Sequence, residues 1–416
     1  MSFGPDLPAV APLRHAMPHR LWRRLPPVWR RRLLARAGSW LAPHPATSET
    51  PATSGLAIAG ELTRASGLGE GARLMAAAAR GLGLPVWTCD LPPLEDATSG
   101  SGTAIGSEEP PPPGVPLVLH VNAPMLPLAL LRLRRAVTRH RPIIGYWAWE
   151  LQTVPPEWRP AVSCVNQVWV PSRFTAAALE PLLPGRVRVV PPPLAVVPPV
   201  PAALDRAAFG LPRDAVVVLV SFNMASSFAR KNPFAALAAF HVAFGDRTDR
   251  ILVLKVTHAE HALGDSACLA RWATGPNIRL ETRTLPPADC HALTACADIV
   301  LSLHRAEGFG LVMAEAMLLG KPVIATGWSG NTDYMHPGNA VLIGSRLVPA
   351  RDDRAVYRGR WAEPDVVEAA DRLRVLADDP ALRRELGTRA RATALAQLDA
   401  QPLAAALRGL SIEVPP

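Results

Sequence analysis

Two successive runs of short apolar segments, each alternating with helical periodicity and separated by a proline-dense stretch at residues 191–201, constrain this chain most. The first run covers residues 56–60, 85–88, 117–121, 143–147, 167–170 and 187–190; the second covers 216–222, 251–256, 278–280, 299–303 and 322–326. Segments apolar on both sides read as strands of parallel sheets covered by helices on both faces. The expected fold is α/β: two Rossmann-like doubly wound domains facing a central cleft, with the proline run as linker. Ligands of such sheets sit beyond the carboxyl ends of the strands, which gathers the loops after the strands around one site.

The first unit reads as strand, loop 61–69, helix 70–80 and strand, with Gly67-Leu68-Gly69 at the first turn and Gly81 and Gly83 stopping the helix. Residues 92–116, rich in Pro, Ser and Gly, read as a flexible surface insertion. The second half reads as strand, loop 223–232 and helix 233–244, and later as strand, loop 304–309 and helix 310–319. At 416 residues the chain exceeds the roughly 250–300 that one core accommodates.

A net charge of +9 suits an anionic partner: nucleic acid, an anionic membrane or a phosphorylated small molecule. Without an arginine–aromatic module, no nucleic acid is expected. Cys89, Cys164, Cys268, Cys290 and Cys296 lack metal-ligand spacing and read as small hydrophobes of a reducing compartment. No run approaches the roughly 18 apolar residues of a membrane span, and no signal-peptide centre is visible, so a cytoplasmic protein is expected.

Residues 1–50 form a separate segment, in which eight arginines and no acid lie between Arg14 and Arg36, interleaved with Leu and Trp. Pro26 and Pro27 exclude one continuous helix. Two readings stand. One is a basic tail or short helices packed on the body; the other is a membrane-surface segment with Trp and Leu at the acyl boundary and Arg on anionic head groups.

The strongest chemical signal is His304-Arg305-Ala306-Glu307-Gly308-Phe309-Gly310-Leu311-Val312-Met313-Ala314-Glu315. Gly308 and Gly310 permit a close backbone approach, and the following helix aims free N–H groups at an anion. Glu307 can accept from sugar hydroxyls, and Glu315, about one turn on, can reach a ribose diol. The bland alternative is a tight turn before a core helix carrying solvated glutamates. Adjacent Arg230 and Lys231, in the loop after the first strand of the same half, offer a fork and a point charge to a diphosphate. Phosphate-directed groups in two loops at one sheet edge weigh against coincidence.

These residues, with the Gly67-Leu68-Gly69 turn and Trp328-Ser329-Gly330-Asn331-Thr332-Asp333, resemble the retaining GT-B glycosyltransferases of family four, in a bacterial polysaccharide-type branch. The resemblance covers about residues 55–410. It implies an acceptor domain at 51–195, a nucleotide-sugar donor domain at 196–385, and a C-terminal helix at 386–416 returning to the first domain. It implies that Arg230, Lys231, Gly67, Gly69 and the backbone of Leu311 and Val312 meet the donor diphosphate. Glu307, Gly308, Phe309 and Gly310 would hold the donor sugar, Glu315 the ribose, and Arg283, Thr284 and Leu285 the base. Many members carry a histidine where this chain has Trp149 within Trp147-Ala148-Trp149-Glu150. Glu150 and His120 are the candidates to replace it, His120 also reading as a satisfied core histidine.

The implied reaction moves a hexose from a nucleotide-diphosphate sugar to a glycan or lipid-linked acceptor with retention, for surface polysaccharide. The departing diphosphate would be stabilised electrostatically, with no metal and no cofactor beyond the sugar nucleotide as co-substrate. Asp352-Asp353 and Asp378-Asp379 read as solvated turn acids. A non-catalytic sugar-nucleotide-binding protein of a polysaccharide assembly, and another GT-B enzyme such as an epimerase, remain the alternatives.

Overall fold

The structure is a computed structural model describing residues 27–46, 54–91, 109–352 and 356–414. Its helices are α1 (Pro27–Leu41), α2 (Gly67–Gly81), α3 (Leu126–Arg132), α4 (Arg135–Thr138), α5 (Arg173–Leu179), α6 (Phe228–Lys231) and α7 (Pro233–Phe244). They continue with α8 (Leu263–Trp272), α9 (Pro287–Cys296), α10 (Leu311–Leu318), α11 (Val366–Asp378), α12 (Pro380–Gln397) and α13 (Gln401–Arg408).

The first sheet holds β1 (Leu56–Gly60), β2 (Val86–Asp90), β3 (Leu117–His120), β4 (Ile143–Tyr146), β5 (Gln167–Val170) and β6 (Val187–Val189), all parallel, in the order β2-β1-β3-β4-β5-β6. The second holds β7 (Val216–Asn223), β8 (Arg250–Thr257), β9 (Ile278–Glu281), β10 (Ile299–Ser302), β11 (Val323–Thr326) and β12 (Val341–Ile343), parallel, in the order β12-β11-β10-β7-β8-β9. Leu56, Ala57, Ile58 and Ala59 of β1 are fully buried, as strands covered on both faces must be. The strand order reverses between β1 and β3 and again between β7 and β10, so a crevice opens at the carboxyl ends of each pair. β13 (Ser345–Pro349) and β14 (Arg360–Pro364) form an antiparallel hairpin that the sequence did not announce.

Several expectations need correction. Helix α2 begins at Gly67, not residue 70, because the Ser66 side chain caps it by accepting from the Gly69 N–H. The 223–232 loop contains α6, capped by Ser227. Of the two readings of residues 1–50, α1 fits short helices packed on the body: it packs against α3 and the 156–164 helix, burying Ala35, Ser39 and Ala42. Residues 1–26 and 47–50 lie outside the described residues.

The presumed insertion is anchored at its end. Buried Arg141 donates to the carbonyls of Pro111 and Val115, while residues 92–108 lie outside the described residues. The return to the first domain comes later than residue 386. Ala390, Ala394 and Leu398 pack in the second domain's core, and Leu403, Leu407 and Ile412 join Leu56 and Ile58 in the first.

Candidate functional site

The two switch-point crevices face each other. An ideal Cβ on Gly67, the first residue of α2, would stand 3.7 Å from Leu311 Cδ1, at the first residue of α10. Two helix N-termini with their positive dipole ends therefore converge from opposite domains, a ready anion site. The α2 end is held rigidly. Asp90, closing β2, accepts from the N–H groups of Leu62 and Thr63, and Arg73 donates to the carbonyls of Leu62 and Arg64. Gly69 must lack a side chain, since a Cβ there would lie 2.3 Å from the Glu61 carbonyl oxygen.

The α10 end is built around Gly310, whose φ of +96° belongs to the left-handed region and whose missing Cβ would strike Met313 Cε at 2.3 Å. The Tyr334 hydroxyl donates to the carbonyls of Phe309 and Gly310, at 3.1 and 2.8 Å. The Ser329 hydroxyl accepts from the Glu307 N–H at 2.8 Å, and the Gly330 N–H donates to the Glu307 carbonyl. Buried His304, between Ser302 and Asn331, supports the loop from behind. The 328–333 segment thus shapes the site through its backbone and Ser329.

Beside this loop lies a charge cluster shared by both domains. Lys231 Nζ stands 2.5 Å from Glu307 Oε1, and Arg230 approaches the same oxygen at 3.2 Å and Glu150 Oε1 at 3.7 Å. Arg230 is 4% exposed, and its guanidinium also donates to the Ala306 carbonyl at 2.7 Å. Burial alone would raise the Glu307 carboxyl, but Lys231 and Arg230 outweigh it and bring it to about 2. Glu307 is therefore an anion at neutral pH. Burial raises Glu150, with Arg230 opposing that shift.

The structure thus brings together Glu307, Arg230, Lys231 and Glu150, with Gly308 against the backbone of Trp149. It does not bring His120 into the cluster. That ring stacks on Tyr146 at 4.3 Å beneath α2, neither nitrogen has a hydrogen-bond partner of good geometry among the described residues, and burial lowers its pKa to about 3. Burial keeps the His120 ring neutral, and it stands apart from the cluster of Arg230, Lys231, Glu307 and Glu150. Trp149 spends its indole N–H on the Thr153 carbonyl.

Residues 283–285 follow edge strand β9. The Arg283 side chain is folded onto Glu281, and its carbonyl accepts from buried Lys255. The Leu285 carbonyl accepts from the Cys290 thiol, whose pKa burial raises, with Lys255 opposing that shift. Leu285 is thus tied to α9 through Cys290, and the Arg283 side chain is engaged on Glu281.

Glu315 is raised from 4.5 to about 8, by burial first and then by the charge of Glu70 on α2. Held protonated at neutral pH, it can donate as well as accept a hydrogen bond. The folded protein binds a proton here that the unfolded chain releases between about 4.5 and about 8, so this group's contribution to stability falls as pH rises through that window. Glu315→Gln should flatten that decline, and thermal midpoints measured across the window should draw ahead of the parent's as pH rises. Parallel curves would remove the assignment.

Sequence reasoning missed the hairpin's contribution. The Tyr357 hydroxyl donates to Glu150 Oε2 at 3.1 Å, its ring stacks on Trp149 at 5.3 Å, and Arg230 lies 5.9 Å from its centroid. Asp352, expected to be a solvated turn acid, accepts from the Ser227 hydroxyl that caps α6, at 2.9 Å. Asp353 lies outside the described residues. Asp378 pairs with Arg250 and Asp379 caps α12, so those acids also have structural work. The chain has three tyrosines, and all three hydroxyls are engaged, on Val190, Gly310 and Glu150. That scarcity was the available signal.

A family model described as "Family 4 Glycosyltransferase in conflict systems" matches residues 181–398, just over half of the chain. A D-inositol 3-phosphate glycosyltransferase of Nocardioides sp. is 31% identical over 187 residues, covering 41% of this chain and 39% of that one. The chain spans less than half the length of the curated relatives it matches. Among solved structures, a glycosyltransferase from Rickettsia africae superposes with a TM-score of 0.59 at 13% identity, covering 86% of this chain and 98% of that chain. HepE of Anabaena, in complex with UDP and glucose, superposes with a TM-score of 0.58 at 15% identity, covering 86% of this chain and all of that chain. At such identities the likeness is one of fold, the GT-B arrangement of two Rossmann-like domains about a cleft.

Proposed function

The chain belongs to glycosyltransferase family 4, and from that premise we propose that it transfers a hexose from a nucleotide-diphosphate sugar to a glycan or lipid-linked acceptor, with retention. One observation carries the reading: two helix N-termini converge from opposite domains beside Arg230, Lys231 and Glu307. A diphosphate between Gly67 and Leu311 would meet the free N–H groups of both helices, with the two cations alongside. Binding would exchange partners. The phosphate oxygens take Lys231 and Arg230, and Glu307, no longer neutralised, turns to the sugar hydroxyls. Glu315 would hold the ribose, Leu285 would border the base, and the Gly308-Phe309-Gly310 backbone would line the sugar.

Charge developing on the departing diphosphate would be balanced by these fixed groups, already oriented before the reaction. A cleft so supplied with positive charge needs no metal, and chelation with EDTA should leave turnover unchanged. HepE binds UDP and glucose, which makes UDP-glucose the first donor to offer. Surface polysaccharide is the product class the reading favours.

The decisive experiment incubates the full chain with a panel of nucleotide sugars and follows nucleoside diphosphate release, then the anomeric configuration of the product. An inverted product would remove retention, and a chain that binds no nucleotide would remove the reading. Within it, Glu307→Ala should lower turnover by roughly 100-fold or more with little change in UDP affinity, the loss typical of one fixed group that acts on developing charge.

Two observations favour a second reading, a non-catalytic sugar-nucleotide-binding protein. Trp149 stands where the family's histidine belongs, and Lys231 and Arg230 are already paired with carboxylates. Nucleotide binding without release from any donor would select it.

A further inference from the structure

We propose that the outer face of α1, with the adjoining α3–α4 segment, is a docking surface for an anionic lipid bilayer. Trp29, Leu33 and Trp40 are 58, 46 and 82% exposed, and Arg36 is exposed between them. Their spacings of i, i+4, i+7 and i+11 put all four within about 60° of arc at roughly 100° per residue. The opposite side is fastened to the body. Ala35 and Ala42 are buried, and a Cβ on Gly38 would lie 3.3 Å from Pro127 Cβ on α3. Leu41 and Leu131 add further exposed apolar surface on the two helices.

Among the described residues, α1 already buries one face and still presents two tryptophans to solvent. Charge selects the occupant. Eight arginines and no acid lie between Arg14 and Arg36, and residues 126–141 carry five arginines and no acid. Arg134, Arg135 and Arg139 are exposed beside the stripe. Next to Trp40, Arg36, His44 and Arg159 line a groove in which Glu157 is the one acidic residue. Tryptophan and leucine flanked by arginine match the boundary between acyl chains and anionic head groups. A second copy of the same face would set arginines against arginines. Helix α3 follows β3, whose carboxyl end opens on the cleft, so a docked bilayer would lie along the first domain's side of that opening. The binding does not depend on the transferase reading.

The test floats the full chain with vesicles of phosphatidylcholine alone and of phosphatidylcholine mixed with phosphatidylglycerol. Binding is expected to the mixed vesicles, weakening with salt. Trp29→Ala with Leu33→Ala and Trp40→Ala should reduce it at least tenfold, and Arg134→Glu with Arg135→Glu by roughly fivefold or more per position. These side chains meet solvent, so thermal midpoints should hold, and brominated lipid should quench tryptophan fluorescence in the parent more than in the triple variant. Equal binding to both vesicle types, no binding to either, or an unaffected triple variant would overturn the proposal. So would a parent that self-associates through these tryptophans without binding vesicles.

Discussion

Arg230→Ala is expected to destabilise the protein by about 3–5 kcal/mol, the cost of removing one partner from a buried charge cluster. Arg230 is 4% exposed and stands between Glu307 and Glu150, so its loss leaves two carboxylates from different domains facing each other with Lys231 alone to balance them. The Ala306 carbonyl loses its donor as well. Chemical denaturation at neutral pH would read the change. Adding Glu150→Gln should recover part of the loss by removing one uncompensated charge. Arg230→Ala as stable as the parent would show that the cluster contributes nothing to holding the domains together.

Lys231→Ala should act on binding instead. Lys231 is less deeply buried than Arg230, and Arg230 remains to neutralise Glu307 after its loss. A charge-assisted contact to a phosphate is worth about 1.5–3 kcal/mol, so UDP affinity should fall roughly 10- to 100-fold. Lys231→Arg should recover only part of it, since a planar fork and a point charge present donors differently. Titration calorimetry with UDP would measure both. Unchanged affinity in a parent that binds UDP would remove Lys231 from the diphosphate site, whereas a parent that binds no UDP would count against the nucleotide reading itself.

The two effects differ although the residues are adjacent. Arg230 joins the domains through Glu150, and Tyr357 overlies it; Lys231 makes its ion pair with Glu307. Sequence adjacency suggested one shared role, and burial separates them.

The doubly wound architecture was legible because fully apolar strands alternating with helices admit few solutions, and the strands stand close to where the apolar runs lie. The glycine turns were legible for a similar reason. A φ of +96° at Gly310 and a carbonyl 2.3 Å from any Cβ on Gly69 are backbone demands that one residue type meets. Cations near a helix start could be read as phosphate-directed because both features are local.

Tertiary structure alone decided which distant residues share a pocket. Nothing in the spacing of Glu150, Arg230, Glu307 and Tyr357 marks them as neighbours, yet two domains and a hairpin bring them together. His120 and Glu150 looked equivalent as polar groups at strand ends, but one is stacked beneath a helix and the other faces an arginine. Asp352 looked like any turn acid until the hairpin carried it to Ser227. Local sequence sets what each segment can form, through side-chain pattern and backbone freedom. Charge, protonation and partnership depend on burial and on neighbours far along the chain, and only folding supplies those.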